Sequence, residues 1–436
     1  MSERVFLISF YMQIAQLHNI FLKSQGISTD SREDLKDKIF VALKGENFDG
    51  NQYVQNALEK GALLAIADNP ELKNLSQHII VVNDSLTTLQ KLANFHRRFL
   101  NIPIISITGS NGKTTTKELI AKVMEKKFAV HYTFGNLNNH IGVPLTLLKM
   151  NTNTQIGVVE MGANHPGEIK ALCKIAEPDY GYITNFGKAH LEGFGSFEGV
   201  IKAKSELYDY LKANNKIIFI NQDQELQLKQ SKDAKTIGFS QNKDSFCTVK
   251  LKNTIPFVEV QYQNLPIQSH LLGEYNFSNI AAAICIGQFF EIEKEQIKEA
   301  IEHYRPDNNR SQMISKGSNQ IILDAYNANP TSMEAAILNF QNLPAENKAV
   351  IVGDMFEVGK TENQEHQYIV DLLEKSDIKD IFVCGKIFYR TNVDRAQKFS
   401  SFEDLQKKIK ALSYKNTCFL IKGSRGMAME RILEVL

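Results

Sequence analysis

The stretch from Ile102 to Met124 constrains the fold of this chain most strongly. It reads IPIISITGSNGKTTTKELIAKVM: an apolar, β-rich run, a glycine-punctuated loop over residues 108–112, and a helical pattern that begins at Lys113. This order of strand, glycine loop and helix is typical of a phosphate-binding loop. Backbone N–H groups in the loop and in the first helical turn can face an anion, because they lack intrahelical partners and the helix dipole favours negative charge there. The sequence therefore predicts nucleotide binding.

Two side chains at the start of the helix would complete the site. Lys113 would reach the terminal phosphates, and the hydroxyl of Thr114 would bind Mg²⁺. The pattern is shorter than the general G-x-x-x-x-G-K-[ST] motif, because Ile107 stands where the first glycine is expected and the nearest upstream glycine is Gly109. An ordinary strand–turn–helix corner is the alternative interpretation. The residues predicted to contact the nucleotide in this stretch are Gly109, Ser110, Asn111, Gly112, Lys113, Thr114 and Thr115.

The composition is that of an ordinary globular protein. The 436 residues suffice for two to four domains, and 43% are hydrophobic and 23% charged. The net charge of +1 provides no basic field for nucleic acid or for an anionic membrane, so small-molecule partners are expected. The five cysteines are scattered singly, without metal spacing, which predicts reduced and buried thiols.

The N-terminus lacks the features of an export signal. Its VFLISF segment is too short for a signal peptide, and no stretch of the chain approaches a membrane span. We therefore expect a cytoplasmic protein. For its oligomeric state, a monomer is the plain expectation. Met12 is an alternative start, in which case the preceding residues would be a weakly determined extension.

Three α/β blocks are predicted, over residues 1–100, 101–310 and 311–436. The first is a small α/β module that contains a helix at 52–60 and a helix at 85–100 with Ser85 as its N-cap. In the second, strands recur at IGVVEMG, YGYITNF and KIIFIN after the phosphate loop, which predicts βαβ units and a parallel sheet. The third alternates strands at IILDAY, KAVIVGD, DIFVCG and TCFLIKG with helices near 332–343, 362–376, 402–412 and 427–436. This pattern is Rossmann-like but lacks G-x-G-x-x-G, which disfavours a nicotinamide cofactor.

Several polar residues stand at strand ends, where ligands collect in parallel sheets. Glu160 interrupts the apolar run VVEMG, where a carboxylate is costly unless it is paired in a salt bridge or binds a metal. His190, in a glycine-flanked loop, and Lys204, in a helical segment, would by themselves be a surface histidine and a solvated lysine. Polar residues beside the first strands suit either a ligand rim or a solvated turn; they are Ser31, Arg32, Asn47 and Asp49.

The segment KGSRGMAME follows the last predicted strand and precedes a helix. Such a corner suits a carboxylate, and Lys422, Ser424 and Arg425 are candidates to bind an incoming dipeptide. A capped turn without a ligand is the alternative.

Eight segments together resemble the Mur ligases of peptidoglycan synthesis. The resemblance covers nearly the whole chain, in order, and includes TDSR and ALKGENFDG in the first block. AHLEGFGS, DAYNANP and GDMFEVG are its most specific parts. The segments are TGSNGKTTT from Thr108, GNLNNHIGVPLTLL from Gly135, VVEMGANHPGEI from Val158, ITNFGKAHLEGFGSFEGVIKAKSELY from Ile183, GEYNFSNIAAA from Gly273, LDAYNANPTSM from Leu323, VGDMFEVG from Val352 and LIKGSRGMAME from Leu420.

The resemblance implies an ATP-dependent amide ligase. It would add D-alanyl-D-alanine to a UDP-N-acetylmuramoyl-tripeptide through an acyl phosphate, with a UDP-substrate domain, a central ATP domain and a Rossmann-like C-terminal domain. Closure of three domains to exclude water predicts hinges near residues 100 and 310. Two alternatives remain: another Mur-type or folylpolyglutamate-type amino acid ligase, and a nucleotide-binding regulatory protein that ligates nothing.

The resemblance also assigns roles to individual residues. Lys113, His190 and Lys204 would be catalytic, and two Mg²⁺ ions would be bound by Thr114, Glu160, His190 and Lys204. Lys204 would be carbamylated, which turns an ammonium into a hard oxygen ligand and requires the neutral amine, so it is expected to be partly buried.

Further residues follow from the matched motifs. Asn276 and Asn279 would lie near the adenine, with Tyr275 where the family commonly has histidine. Arg310 would be the linker arginine and Asp324 the ribose-binding aspartate. The residues assigned to the peptide substrates are Asn139, Asn327 and Asn329.

Overall fold

The structure, a computed structural model, describes residues 14–242 and 244–436. The VFLISF segment and the choice between Met1 and Met12 lie outside these ranges. The chain divides into two units: one holds residues up to Ser106 with 128–162 and 168–180, and the other holds 107–127, 163–167 and 181–436. The three-domain boundaries near 100 and 310 stay a prediction.

The first hundred residues form a small α/β module in the first unit. Its elements in chain order are α1 (residues 14–21), β1 (Ile27–Ser28), β2 (Ile39–Val41), β3 (Lys44–Gly45), β4 (Phe48–Asp49), α2 (Val54–Glu59), β5 (Leu64–Ala67), β6 (Ile79–Val81) and α3 (Ser85–Leu100). The order β1-β2-β5-β6 forms a sheet that is parallel throughout. Phe40 and Ala65 of this sheet pack on Val54 and Ala57 of α2 in a buried core. A small α/β module is therefore confirmed for this part of the chain.

The N-cap predicted for α3 was wrong by one residue. The carboxylate of Asp84, in extended conformation, accepts the N–H of Thr87 at 2.5 Å, so Asp84 is the cap and Ser85 the first helical residue. Both residue types cap helices well, and backbone geometry decides which of two adjacent candidates does so.

The described residues between 104 and 303 form nine strands and eight α-helices. In chain order they are β7 (Ile104–Thr108), α4 (Lys113–Met124), β8 (Val130–Tyr132), α5 (Gly142–Leu148), β9 (Ile156–Glu160), α6 (Glu168–Ala176), β10 (Tyr180–Ile183), α7 (Leu191–Phe194), α8 (Phe197–Ala213), β11 (Ile217–Asn221), α9 (Glu225–Gln230), β12 (Lys235–Ser240), β13 (Cys247–Asn253), β14 (Glu259–Tyr262), β15 (Leu265–Gln268), α10 (Phe277–Phe289) and α11 (Lys294–His303).

These strands belong to both units. In the first unit, the strand order is β8, β9 and the start of β7. In the second unit, the strand order is β15-β14-β13-β12-β11-β10, followed by the end of β7. The pairs β8–β9, β11–β12 and β12–β13 are parallel, as the βαβ pattern predicted. The meander β13-β14-β15 is antiparallel, which the sequence analysis did not anticipate.

Residues 312–436 form a Rossmann-like sheet in the second unit. Its elements are β16 (Gln312–Lys316), β17 (Asn319–Asp324), α12 (Pro330–Gln341), β18 (Asn347–Gly353), α13 (Glu362–Glu374), β19 (Asp380–Cys384), β20 (Gln397–Phe399), α14 (Phe402–Leu412) and β21 (Thr417–Lys422). The order is β16-β17-β21-β18-β19-β20, and only the β16–β17 pair is antiparallel.

Alternate residues of these strands enter separate cores on the two sheet faces, as a strand's period of two requires. Val350 and Leu420 pack in one core with residues of α12 and α13, while Ile351 and Phe419 pack in the other with residues of α14. The helix predicted at 427–436 is instead two 3₁₀ segments, Arg425–Met427 and Met429–Glu434, because Ala428 between them has a left-handed φ of 48°.

All five cysteines are buried and free, as predicted. Among the described residues, every helix is too short or too polar to cross a bilayer.

Candidate active site

The loop between β7 and α4 depends on two glycines. Gly109 has a φ of 144° and Gly112 a φ of 79°, in the left-handed region that side chains rarely adopt. A Cβ on Gly109 would lie 2.0 Å from Oγ1 of Thr184, and one on Gly112 would lie 2.7 Å from Oδ1 of Asn279. Neither position has room for a side chain, so both require glycine.

The loop rests on the segment that follows β10. Asn111 donates its backbone N–H to Oδ1 of Asn185 at 3.0 Å, and its carbonyl accepts the Thr184 hydroxyl at 2.6 Å. The Ser110 hydroxyl donates to the carbonyl of Gly187 at 3.0 Å and accepts the N–H of Gly187 at 2.9 Å. These bonds fix the backbone of the loop, and a fixed backbone is what anion binding requires.

Lys113 begins α4 and folds back over the loop. Its Nζ donates to the carbonyls of Gly109 at 2.8 Å and Ser110 at 3.2 Å. Thr114 and Thr115 are buried beside it, in the first turn of α4, where the backbone N–H groups point out of the helix. The geometry suits an anion held by the loop backbone and a lysine ammonium.

Asn276 and Asn279 form a buried chain behind the loop. Asn279 accepts the Thr116 hydroxyl at 2.9 Å and donates to Asn276 at 2.8 Å, which donates to the carbonyl of Leu272 at 2.7 Å. These amides therefore connect α10 to α4. The hydroxyl of Tyr275 is hydrogen-bonded to Ser311 at 2.8 Å.

Lys204 and His190 both lie close to the Phe194 ring. Lys204 is fully buried, donates to the carbonyl of Ala163 at 3.0 Å, and places Nζ 5.0 Å from the ring centroid. The imidazole of His190 meets the same ring edge-on at 6.4 Å. The structure thus brings these two predicted residues together, and the expected burial of Lys204 is found.

His190 has a partner that the sequence analysis did not name. Its Nδ1 contacts a carboxylate oxygen of Glu357, in the loop after β18, and this hydrogen bond holds the pKa of Glu357 below its usual value. Glu357 belongs to the GDMFEVG segment, but it is not among the predicted site residues. A signal for it was available, since a carboxylate in a specific loop is a common partner for a functional histidine.

Glu160 lies in the first unit, at the end of β9. Its carboxylate is buried and accepts the side-chain amide of Asn138 at 2.7 Å, another residue that was not predicted. The predicted neighbour, Asn139, instead accepts the N–H groups of Ile141 and Gly142 at 3.1 and 2.9 Å, at the start of α5.

The donors predicted for Mg²⁺ differ in their fit. The Glu160 carboxylate and Thr114 hydroxyl are hard oxygen donors of the kind this ion prefers. Lys204 as an ammonium would repel a cation and fits only as a carbamate. Within residues 14–242 and 244–436, no three His, Cys, Asp or Glu side chains gather as a metal site; a hydroxyl and a modified lysine are outside that set of residue types.

At the carboxyl ends of β17 and β21, Asp324 and Lys422 are paired. Lys422 is buried, with Nζ 2.6 Å from Oδ2 of Asp324 and 3.1 Å from the carbonyl of Asn327. The two residues face each other in the strand register. Asp324 was assigned to the ribose and Lys422 to the dipeptide, but the two side chains form one ion pair.

Arg310 stacks on an aromatic ring. Its guanidinium carbon lies 3.7 Å from the ring centroid of Tyr326, in the DAYNANP segment. Its buried Nε makes no hydrogen bond with any part of the chain that the structure describes.

Asn329, in the same DAYNANP segment, contacts the phosphate loop directly. Its side-chain amide donates to Oδ1 of Asn111 at 2.7 Å, and its Oδ1 also accepts the N–H of Ser332 in a capping box at the start of α12. Asn327 is exposed.

The residues in the corner after β21 differ in their exposure to solvent. The Ser424 hydroxyl accepts the N–H of Phe356 at 2.8 Å and is buried. Arg425 is exposed and pairs with Glu430 at 2.9 Å.

The residues predicted as a substrate rim lie in the first unit, where Ser31 and Asp49, at the end of β4, are half-buried. Arg32 is 88% exposed and pairs with Asp30, and the carbonyl of Ser31 accepts Lys60 at 2.7 Å. Asp49 accepts the backbone and side-chain N–H groups of Asn51 at 2.9 and 2.7 Å, and Asn47 is exposed.

Three family descriptions match successive parts of the chain. Residues 23–97 match "Mur ligase family, catalytic domain", residues 107–287 match "Mur ligase middle domain", and residues 309–425 match "Mur ligase, glutamate ligase domain".

Relatives match over nearly their whole length. The UDP-N-acetylmuramoyl-tripeptide–D-alanyl-D-alanine ligase of Bacillus subtilis is 36% identical, over 94% of this chain and 93% of the relative. Among solved structures, MurF from Acinetobacter baumannii superposes with a TM-score of 0.85 at 29% identity, covering 94% of this chain and 92% of that one. MurF from Thermotoga maritima in complex with ADP has a TM-score of 0.84 at 28% identity, covering 95% and 97%.

Proposed function

The chain belongs to the Mur ligase family, and on that premise we propose that it joins D-alanyl-D-alanine to a UDP-N-acetylmuramoyl-tripeptide at the expense of ATP. The observation that carries this proposal is the full-length similarity to ligases named for this reaction. The product is a precursor for peptidoglycan, and the by-products are ADP and phosphate.

The nucleotide end of the reaction rests on the β7–α4 loop. ATP places its phosphates against the loop backbone, and the Lys113 ammonium neutralises charge on the terminal phosphates. Arg310, stacked on Tyr326 with its buried Nε unsatisfied within the described chain, is suited to meet a nucleotide oxygen. Because Asn276 and Asn279 form a buried chain, they support α4 from behind as well as bordering the adenine.

The ligation itself has two steps. A carboxylate oxygen of the tripeptide attacks the γ-phosphorus of ATP, which forms an acyl phosphate and releases ADP. The amine of D-alanyl-D-alanine then attacks the acyl carbon, the C–O bond to phosphate breaks, and the amine loses a proton. Water must be excluded between these steps, because hydrolysis of the acyl phosphate would waste ATP.

Thr114, Glu160, His190 and carbamylated Lys204 are the residues we assign to two Mg²⁺ ions, which supply charge neutralisation for the transferred phosphoryl group when bound. The burial of Lys204 supports its assignment, because burial favours the neutral amine that carbamylation consumes.

The peptide substrates are assigned to two regions. Ser31, Arg32, Asn47, Asp49 and Asn139 are proposed for the UDP-linked substrate, and Asn327, Asn329, Lys422, Ser424 and Arg425 for the dipeptide. Arg425 has the exposure needed to bind a carboxylate directly, whereas buried Lys422 acts by holding Asp324. We further propose that the protein acts as a monomer in the cytoplasm, where ATP is available.

The test is phosphate release by the purified protein with Mg·ATP, UDP-N-acetylmuramoyl-tripeptide and D-alanyl-D-alanine, each omitted in turn. We expect release only with all three, formation of the pentapeptide product by mass, and at least a hundred-fold loss in a Lys113→Ala variant. Release with a different amino acid in place of the dipeptide would favour another Mur-type or folylpolyglutamate-type ligase. Release indifferent to both peptides would overturn the ligase proposal.

A further inference from the structure

Two of the most specific sequence segments meet at one contact. His190, from AHLEGFGS, directs Nδ1 at a carboxylate oxygen of Glu357, from GDMFEVG. The two residues are 167 positions apart, and both belong to the second unit. The His190 side chain is 18% exposed and that of Glu357 is 48% exposed, so the histidine is the more buried partner of the pair.

The backbone builds this contact. Both residues have left-handed φ values, 53° for His190 and 60° for Glu357, which is uncommon for residues other than glycine. The carbonyl of Glu357 accepts the N–H of Glu192 at 3.2 Å. Gly359 passes so close that a Cβ there would lie 3.1 Å from the Cα of Glu192. The two loops are therefore fitted to each other, which distinguishes this contact from a chance pairing of surface side chains.

The contact determines which nitrogen of the imidazole is available. When Nδ1–H donates to a carboxylate, the lone pair of the neutral ring lies on Nε2. A carboxylate on one nitrogen orients the ring and raises its basicity toward a cation on the other nitrogen. The ring of Phe194 also lies near the imidazole, 6.4 Å away between ring centroids.

We infer that Glu357 is a positioning residue for His190: its carboxylate fixes the ring and the tautomer, so that Nε2 is the nitrogen that would bind a cation. The inference rests on the proposed function, in which His190 is a metal ligand. Glu357 itself touches neither the nucleotide nor the cation in this assignment.

Glu365 offers a matched control. It also reaches the 188–190 segment from the C-terminal block, through a salt bridge to Lys188 at 2.7 Å, but its partner is not the histidine. A Glu365→Gln variant is therefore expected to weaken a contact between the same two regions without changing the orientation of the imidazole.

The experiment measures cation binding as well as turnover, in the full chain. Mn²⁺ binding is followed by electron paramagnetic resonance in the presence of ADP, and the Mg²⁺ concentration for half-maximal phosphate release is measured separately. We expect Glu357→Ala to weaken Mn²⁺ binding and to raise the Mg²⁺ requirement by about ten-fold or more. Glu357→Gln, which keeps an acceptor for Nδ1–H, should lose less, and E365Q should match the unaltered protein. Thermal unfolding confirms that each variant is folded.

A His190→Ala background completes the test. If Glu357 acts through His190, adding Glu357→Ala to His190→Ala should leave Mn²⁺ binding no weaker than in His190→Ala alone. If the double variant binds Mn²⁺ more weakly than His190→Ala alone, the inference is overturned. It is also overturned if Glu357→Ala leaves Mn²⁺ binding and the Mg²⁺ requirement unaltered. Because the Mn²⁺ measurement needs neither peptide, failure of the ligase proposal shows separately as absence of peptide-dependent phosphate release.

Discussion

Lys204 shows at the scale of one residue how burial selects chemistry. A buried ammonium is costly, because the protein must replace the hydration of a full charge. In the second unit Lys204 is fully buried, with the carbonyl of Ala163 at 3.0 Å and the face of Phe194 nearby. Reaction of the neutral amine with CO₂ forms an N–C bond, releases a proton and replaces the ammonium by an anion that a divalent cation can neutralise. The proposed carbamate therefore gives a physical reason for a lysine in this position.

Replacing Lys204 by alanine tests this reason. We expect at least a hundred-fold loss of phosphate release, because one ligand of the cation is removed. Formate, acetate or propionate should restore part of the activity by supplying the missing carboxylate in the space left by the side chain. The assay is peptide-dependent phosphate release across a series of carboxylate concentrations.

Lys212, on the same helix and paired with Asp209 at 3.2 Å at the surface, provides the control. A Lys212→Ala variant should retain activity and should not respond to carboxylates. Unaltered activity in Lys204→Ala would refute the ligand role of Lys204.

At the scale of elements, α1 and α3 are joined by a buried pair of histidines. His96 on α3 donates Nε2–H to the carbonyl of Met150 at 2.8 Å, so its Nδ1 is the acceptor for Nε2–H of His18 on α1 at 2.9 Å. Burial is the main reason that the pKa values of both are lowered, that of His18 to about 4. Both rings are therefore neutral in the folded protein at pH 7.

This pair predicts that the first unit loses stability in mild acid. In the unfolded chain His18 binds a proton below pH 6.5, whereas in the folded state it does so only near pH 4, so its contribution is present above pH 6.5 and is lost as the pH falls from 6.5 to 4. For His18 alone the loss between pH 7 and pH 5 is about 2 kcal/mol. The thermal unfolding midpoint, followed by circular dichroism, should fall over this range.

The matched variant is His18→Gln, which keeps a donor for His96 but does not titrate. Its unfolding midpoint should change less between pH 7 and pH 5 than that of the unaltered protein. Equal pH dependence in the two proteins, or an NMR titration that places the pKa of His18 near 6.5, would contradict the assignment.

At the scale of the whole molecule, the proposed reaction needs three ligands and an interval without water. The two predicted hinges coincide with backbone of unusual conformation: Asn101 has a φ of 48°, and Asn309 and Ser311 have φ values of 56° and 50°. Residues at element ends that absorb a change of φ and ψ are typical of hinges. Hinge positions near 100 and 310 remain a proposal with this local support.

Small-angle scattering tests the hinges. We expect the radius of gyration to decrease when a non-hydrolysable ATP analogue and UDP-N-acetylmuramoyl-tripeptide are added, because closure around the ligands excludes water. A Lys113→Ala variant, with weakened nucleotide binding, should respond less to the analogue. Scattering that is identical with and without ligands would count against hinge closure.

The sequence by itself determined the elements whose signals are local. The β7–loop–α4 unit was predicted because two glycines, a lysine and an apolar run suffice to specify a loop that passes through left-handed φ values into a helix. The parallel strands β17, β18, β19 and β21 were predicted because a strand buried on both faces reads as a continuous apolar run. Family resemblance then supplied the reaction and the candidate residues.

The tertiary structure alone decided what depends on distant partners. The edge strands β16 and β20 are short and partly exposed, so they carry no apolar run, and only pairing with β17 and β19 makes them strands. Asp324 and Lys422 were assigned separately, because nothing local indicates that residues 98 positions apart share a strand register. Glu357 was missed for the same reason: a carboxylate in a loop becomes a partner of His190 only when folding brings the two loops together.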